Sequence, residues 1–339
     1  MATVHTSLAT KWRPKCWDDV CGQHAVVQIL KHQIETGTFK QSYLFCGKYG
    51  SGKTTSARIM AREINQGDFD VIEIDAASNN GVDHVRAIAD EAKVKPLIGK
   101  YKIFILDEAH LTSAAGWGAW LKLLEEPPGC AIFIFCTTDP QKMPNTILSR
   151  VQQYNFTNIP LDEIAARLKY ISQQENIDID DASIRYIAKM AEGSMRDGIS
   201  MLDKCHSLNT HITIKEVADT LSVVGYSGYL DLIGSLINRD PKGSVGIISK
   251  AYDDGKDLKL FMEQLLYTAC DVCNYFIFNS FEYISIPELP EYKDKMNTFS
   301  LDQCLEVLEW AKRVNGSIRG NKNPKNAILV EVMLWLQNK

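Results

Sequence analysis

The sequence predicts an α/β fold with a parallel sheet over its first 157 residues, followed by an all-α remainder. Three observations predict it. Apolar runs of strand length lie at 43–46, 71–74, 103–106 and 132–136, with amphipathic helical stretches such as 81–92 and 113–126 between them. Alternation of this kind requires a parallel sheet with helices on both faces, because each parallel crossover carries a helix. A glycine-rich segment, Gly47-Lys48-Tyr49-Gly50-Ser51-Gly52-Lys53-Thr54, joins the first run to a helix-forming stretch at 55–61. Beyond about Phe156 the strand pattern disappears, and apolar residues recur at three- and four-residue spacing.

Each element follows in order. Pro127-Pro128 stops the helix that ends at Glu125-Glu126. Residues 161–224 read as several short helices. Gly225-Tyr226-Ser227-Gly228 reads as a hinge, and residues 229–339 as helices interrupted by a loop at 287–290. The expected domains are 1–157, 158–224 and 225–339. No internal repeat or low-complexity tract is present.

The chain has 339 residues, 45 % of them hydrophobic and 23 % charged, as in ordinary globular proteins. No apolar run approaches the roughly 20 residues of a membrane helix. Met1-Ala2-Thr3-Val4-His5 lacks the basic and apolar regions of a signal peptide, so the expected location is the cytoplasm. The nine cysteines are scattered, and a disulfide framework is not expected in a reducing compartment. Cys270 and Cys273 have metal-like spacing, but no second pair follows, and three-residue spacing also suits one face of a helix. A net charge of −5 gives no global attraction to nucleic acid and leaves a local basic groove open.

The glycine-rich segment fits G-x-x-x-x-G-K-[ST], a phosphate-binding loop in the strand–loop–helix context it needs. Backbone N–H groups around Gly47, Gly50, Ser51 and Gly52 curl about a phosphate chain, and the helix beginning near Lys53, Thr54 and Thr55 adds its positive end. Lys53 is the expected contact to the outer phosphates and the Thr54 hydroxyl a Mg²⁺ ligand. A bare glycine turn with a chance lysine would lack the acidic partner found downstream.

That partner is the run at 103–106, which leads into Asp107-Glu108-Ala109-His110. Asp107 is the expected Mg²⁺ ligand, and Glu108 the group that orients water or accepts its proton. A second acid beside a metal ligand favours hydrolysis over transfer to an acceptor. The run at 132–136 ends in Thr137-Thr138-Asp139-Pro140, either a γ-phosphate contact or a turn. Arg150, and Arg196 in Gly193-Ser194-Met195-Arg196-Asp197, read as solvated side chains on spacing alone; Ser194 reads as a helix cap.

Taken together, these segments resemble the AAA+ clamp-loader ATPases of the bacterial DNA polymerase III gamma/tau type. The resemblance is carried by Lys11-Trp12-Arg13-Pro14 with Asp19-Val20-Cys21-Gly22-Gln23, by the phosphate loop, and by Ile72-Glu73-Ile74-Asp75-Ala76-Ala77-Ser78-Asn79-Asn80-Gly81-Val82. It continues through Asp107–His110 to Leu124-Glu125-Glu126-Pro127-Pro128, Thr137-Thr138-Asp139-Pro140-Gln141-Lys142 to Ser149-Arg150, and Gly193–Asp197. It is dense over 8–224 and weaker beyond, where 315–324 and Leu329-Val330-Glu331 resemble a helical collar.

The resemblance implies an AAA+ P-loop domain, a helical lid and a C-terminal oligomerisation collar, with ATP and Mg²⁺ as cofactors. It implies a sensor role for Thr138 near the γ-phosphate and an arginine finger at Arg150 that reaches a neighbour's ATP. It also implies a lid contact from Arg196 to the chain's own nucleotide, and adenine and ribose contacts from Trp12, Arg13, Pro14 and Val20. The implied partners are other loader subunits in a five-subunit assembly, a sliding clamp and primer–template DNA, with no membrane. Helix N-termini and basic side chains bind phosphates without reading sequence, so Asn79, Asn80, Arg86 and Lys122 are the DNA candidates.

Val151 stands where the family has a cysteine after the finger. Only Asn65-Gln66-Gly67-Asp68-Phe69-Asp70 stands where the family has a four-cysteine zinc module, so no zinc is expected. The family's long tail is also missing, which favours a compact, phage-encoded type of subunit over a shortened chain. The rival readings are another AAA+ machine of branch-migration or initiation type, a structural loader subunit, and a phosphotransferase. The all-helical C-terminus, the intact Lys53–Thr54 and Asp107–Glu108 pairs, and the lack of an acceptor pocket argue against them in turn.

Overall fold

A computed structural model describes residues 6–208, 211–318, 320 and 323–337. Residues 1–5, read above for a leader, and 319, 321 and 322 within the collar-like stretch lie outside the described residues. By internal packing the chain divides into two compact units: Met1–Ile171 with Ala191–Ser200, and Ser172–Met190 with Met201–Lys339.

The first unit is built on a parallel sheet of β1 (Ser42–Gly47), β2 (Val71–Asp75), β3 (Lys102–Asp107), β4 (Ala131–Thr137) and β5 (Gln152–Phe156), in the order β2-β3-β4-β1-β5. The first four agree with the apolar runs to within one residue at each end. β5 is absent from the sequence reading. As the edge strand beside β1 it buries only Tyr154 and Phe156, and Gln152, Gln153 and Asn155 leave no apolar run to recognise.

Helices α1 (Leu8–Lys11), α2 (His24–Glu35), α3 (Lys53–Asn65), α4 (Val82–Lys93), α5 (Ala114–Glu125), α6 (Asn145–Leu148) and α7 (Leu161–Gln174) surround this sheet or follow it. Side chains alternate between the two faces. Tyr43, Phe45, Ile103, Ile105, Ile132 and Ile134 pack with Leu30 of α2 and Met60 and Ile64 of α3. Leu44, Phe104, Leu106, Phe133 and Phe135 pack with Val85 and Ile88 of α4 and Trp117 and Trp120 of α5. The Trp120 ring lies edge-on to Phe133 and Phe135, with centroids 5.5 and 4.9 Å away. Each such buried side chain contributes about 1.5–3 kcal/mol. Because all strands run the same way, the ends of β1, β3 and β4 emerge at one edge of the sheet, where ligands of open α/β sheets bind.

The short α3–β2 connection has its own use. The Asn65 amide donates to the carbonyls of Phe69 and Tyr101 at 2.7 and 2.8 Å. The Asp70 carboxylate accepts the N–H groups of Leu97, Ile98 and Gly99 at 2.7–2.9 Å, which hold its carboxyl below the usual range.

The second unit holds α8 (Asp181–Met190), most of α9 (Met195–Leu208), α10 (Ile214–Leu221), α11 (Gly225–Ile237), α12 (Pro241–Asp253), α13 (Leu258–Phe278), α14 (Pro290–Met296), α15 (Leu301–Ile318) and α16 (Pro324–Gln337). Phe261, Leu265 and Val272 of α13 and Val307, Trp310 and Val314 of α15 share its core. Two expectations are corrected here. Strands do not vanish after Phe156: β6 (Asp178–Ile179) pairs in parallel with β7 (His211–Ile212), a ladder too short for alternation to register. Gly225-Tyr226-Ser227-Gly228 is the first turn of α11, not a hinge. Burial of Tyr229, Leu230, Ile233 and Leu236 carries the helix through its glycines. On α13 Cys273 is buried and Cys270 exposed. No single helix among the described residues is long and apolar enough to cross a membrane.

Candidate nucleotide site

The loop after β1 turns sharply because Gly50 and Gly52 adopt φ +71° and +99°, values that resist a Cβ. Gly47 has no room for one: a Cβ there would lie 2.4 Å from the Phe156 carbonyl oxygen. Ser51 ties the loop to itself, its hydroxyl donating to the Lys48 carbonyl at 2.8 Å. Gln23, 3 % exposed, ties it to the segment after β5. Its amide donates to the carbonyls of Ser51 and Thr157 at 3.3 and 2.8 Å and accepts the Thr157 N–H at 3.1 Å.

Lys53 opens α3 and is 6 % exposed. Its Nζ donates to the Gly47 and Lys48 carbonyls at 2.8 Å each. Burial lowers its pKa, and nearby Glu108 and Asp107 oppose that shift. The Thr54 hydroxyl donates to Asp107 Oδ2 at 2.9 Å, joining the start of α3 to the end of β3. Asp107 Oδ1 accepts the Glu108 N–H at 3.0 Å, and Glu108 sits in left-handed backbone at φ +46°. Glu108 Oε2 accepts the Thr138 hydroxyl at 3.1 Å, so the acid after β3 and the threonine after β4 meet.

One cavity gathers most of the candidates. The loop lines it from Tyr49 to Thr55, Asp107 and Glu108 line its floor, and Trp12, Arg13, Pro14 and Val20 line one wall. Met195, Arg196 and Ile199 line another. The Met195 N–H donates to the Gly50 carbonyl at 3.2 Å, and the Arg196 guanidinium lies 5.2 Å from the Tyr49 ring. Ser194 caps α9, its hydroxyl accepting the Asp197 N–H at 3.2 Å.

Arg150 is not in this cavity. It bonds Glu125 and the Thr146 carbonyl. Asn79, Asn80, Arg86 and Lys122 also lie outside it. Asn79 and Asn80 precede α4, and the Asn80 carbonyl accepts the Ser113 N–H at 3.0 Å, so the N-termini of α4 and α5 are neighbours. Arg86 pairs with Asp83 at 3.1 Å. Lys122 is set about 12 Å along α5 from its N-terminus, so it is not grouped with the other three.

Sequence reasoning missed two parts of the cavity. Arg58 clamps Glu73 through two bonds of 2.7 and 2.6 Å, and both line the wall beside Arg13. Burial, then the guanidiniums of Arg58 and Arg196, lower the Arg13 pKa. Three cations therefore converge where a polyanion would relieve them. Arg58 was findable, one helical turn beyond Thr54 on the same face of α3. Arg167 was not. It lies 6.0 and 5.4 Å from the Trp12 and Tyr170 rings and donates to Asp19 at 3.0 Å, a contact spanning 148 residues of chain.

Comparison with known proteins separates fold from family. The RuvB Holliday junction branch migration motor of Thermotoga maritima is similar in structure at 20 % identity and a TM-score of 0.53, over 67 % of this chain and 79 % of that one. That likeness gives the AAA+ P-loop fold alone. Residues 62–160 match the family described as DNA polymerase III, delta subunit, and 163–205 match the DNA polymerase III clamp loader subunit, ATPase lid domain. DNA polymerase III subunit tau of Bacillus subtilis (strain 168) is 35 % identical over 295 residues, covering 80 % of this chain and 52 % of that protein.

The chain is a relative of the DNA polymerase III gamma/tau subunits. Subunit gamma/tau of Mycobacterium bovis is 36 % identical over 77 % of this chain and 49 % of its own length, and subunit tau of Escherichia coli K12 is 33 % identical over 76 % and 44 %. The chain thus spans about half the length of the curated gamma/tau relatives it matches. The lid match at 163–205 contains Arg167, Met195 and Arg196, all three of which line the cavity.

Proposed function

We propose that the chain is an ATP-hydrolysing subunit of a clamp loader, which opens a ring-shaped sliding clamp and closes it on primer–template DNA. The carrying observation is the Thr54–Asp107 contact at 2.9 Å with Glu108 beside it, in a chain related to gamma/tau subunits. Lys53 exchanges its two loop carbonyls for the outer phosphates of ATP. Arg13 and Arg196 add positive charge, and Trp12, Pro14 and Val20 give the base an apolar seat. Thr54 and Asp107 fit Mg²⁺: they are hard oxygen donors already in contact. The ion, when bound, draws charge from the phosphate oxygens. Glu108 accepts the proton of the attacking water.

Arg150 serves the neighbour's site, so hydrolysis waits on assembly of the subunits. ATP binding builds a five-subunit spiral that holds the clamp open, and hydrolysis releases the clamp closed on DNA. Asn79, Asn80 and Arg86, around the paired N-termini of α4 and α5, contact DNA phosphates, with Lys122 a more distant contributor. The three functional parts are the ATP-binding domain at 1–157, the lid at 158–224 and the collar at 225–339. No zinc is required, and the working location is the cytoplasm. The test is the ATPase rate of the purified chain with and without partner subunits, clamp and primed DNA. Stimulation by clamp with primed DNA in the complete assembly is expected, and its absence there rules the loader reading out.

A further inference from the structure

The two carboxylate oxygens of Glu108 are held unequally. Oε2 accepts the Thr138 hydroxyl at 3.1 Å and lies 3.4 Å from His110 Nδ1. No hydrogen bond engages Oε1 among the described residues. His110 sits in the short turn Ala109–Leu111 with its side chain 10 % exposed. Its Nδ1 is also 3.1 Å from the hydroxyl of Thr137, a fully buried residue whose Oγ1 accepts the Asp139 N–H at 3.1 Å. With the proton on Nδ1, His110 donates to a carboxylate that, as an ion, only accepts; with the proton on Nε2, Nδ1 instead accepts the hydroxyl of the nearer Thr137. The second tautomer would turn a nitrogen lone pair towards Oε2.

We infer that His110 is a positioning residue, which anchors Glu108 by Oε2 so that Oε1 faces the attacking water. The inference rests on the reading of Glu108 as the proton acceptor. A threonine hydroxyl has one proton to donate. If the Thr138 hydroxyl turns to donate its hydrogen bond to a γ-phosphate oxygen, it no longer holds Oε2, and His110 with its proton on Nδ1 is the donor left on the carboxylate. His110 does not itself line the cavity and meets it only through Glu108, so its effect falls on turnover and not on nucleotide binding.

The test is kcat and KM for ATP in the assembly that gives the wild-type chain its hydrolysis, using His110→Ala, His110→Asn, His110→Gln and Glu108→Gln. The Asn amide nitrogen stands where Nδ1 stands, and the Gln amide reaches one carbon further. His110→Ala is expected to lower kcat about 10- to 100-fold, the usual effect of losing a group that orients a reacting ligand, with KM within about twofold. His110→Asn is expected to stay within about fivefold of wild type and His110→Gln to fall below it. A His110→Ala kcat within about threefold of wild type overturns the inference, as does a KM rise that accounts for the loss. If His110→Ala fails to fold, equal activity of the Asn and Gln variants overturns it. Glu108→Gln separates the two levels. Retained hydrolysis there removes the reading of Glu108 and this inference with it. Lost hydrolysis beside an unaffected His110→Ala removes this inference alone.

Discussion

Arg150 donates from Nη2 to Glu125 Oε1 and from Nη1 to the Thr146 carbonyl, both at 2.8 Å. Its own chain thus fixes the guanidinium plane outside its own nucleotide cavity. Nη1 also donates to Ser149 Oγ at 3.3 Å, so the guanidinium is pre-organised, and on the finger reading its Nε hydrogen and second Nη2 hydrogen are the ones that would meet a phosphate on another subunit. Arg150→Ala is expected to lower kcat by about 10³-fold or more in the assembly, while the Kd for ATP stays within about threefold. Arg150→Lys should rescue little, because one ammonium cannot span Glu125 and Thr146 and still reach out. Equilibrium ATP binding beside single-turnover hydrolysis checks both. Loss of binding would place Arg150 in its own site.

Gly50 offers a second test, through the contact between the phosphate loop and the start of α9. A Cβ there would lie 1.9 Å from the Ser194 hydroxyl, at a φ of +71°. Gly50→Ala must move the loop or the cap of α9, and the loop and the first turn of α9 both line the cavity. An affinity loss of at least about tenfold and a lower Tm are expected. Gly118 on α5 is the control, since nothing lies within 4 Å of its added Cβ. Gly118→Ala should raise stability by up to about 1 kcal/mol and leave ATP affinity unchanged.

The sequence was readable where one chemical pattern decided the outcome. β1, β3 and β4 are buried on both faces, so they appear as continuous apolar runs, and the phosphate loop and Asp107-Glu108 follow from the ends of those runs. β5 was hidden because an edge strand buries two residues in five. Gly225 misled because a glycine with positive φ can open a helix as well as break one, and the packing of α11 decides which. Arg167 depends on a contact that no local pattern contains, and His110, although only two residues from Glu108 in sequence, depends on which carboxylate oxygen it meets in the fold. One lies across 148 residues from Asp19, and the other is read only once the two oxygens of Glu108 are distinguished.

Thr54 and Asp107 make metal dependence testable at the ligand level. Chelation of Mg²⁺ should abolish hydrolysis. Thr54→Val keeps the shape of the side chain and removes the oxygen that now donates to Asp107 Oδ2. The Mg²⁺ concentration for half-maximal activity should rise about tenfold or more in this variant. An unchanged Mg²⁺ titration would take Thr54 out of the metal shell.

The second unit carries a pH dependence of its own. Asp271 on α13 accepts the Ser285 N–H at 2.8 Å, yet burial pushes its carboxyl up to about 6 despite that bond and nearby Lys189. An aspartate in the unfolded chain titrates near 3.9. Between those values the folded chain binds more protons than the unfolded one, so this group's contribution is fully present below about pH 4 and is lost as pH rises through about 6. Two pH units correspond to about 3 kcal/mol at most. Asp271→Asn keeps an oxygen for the Ser285 N–H and removes the charge. At pH 8 the variant should be the more stable, with slower amide exchange along α13, and the difference should shrink to near zero by about pH 4. Exchange measured at matched intrinsic rates across that range distinguishes this from a general acid effect, which would leave the two profiles parallel.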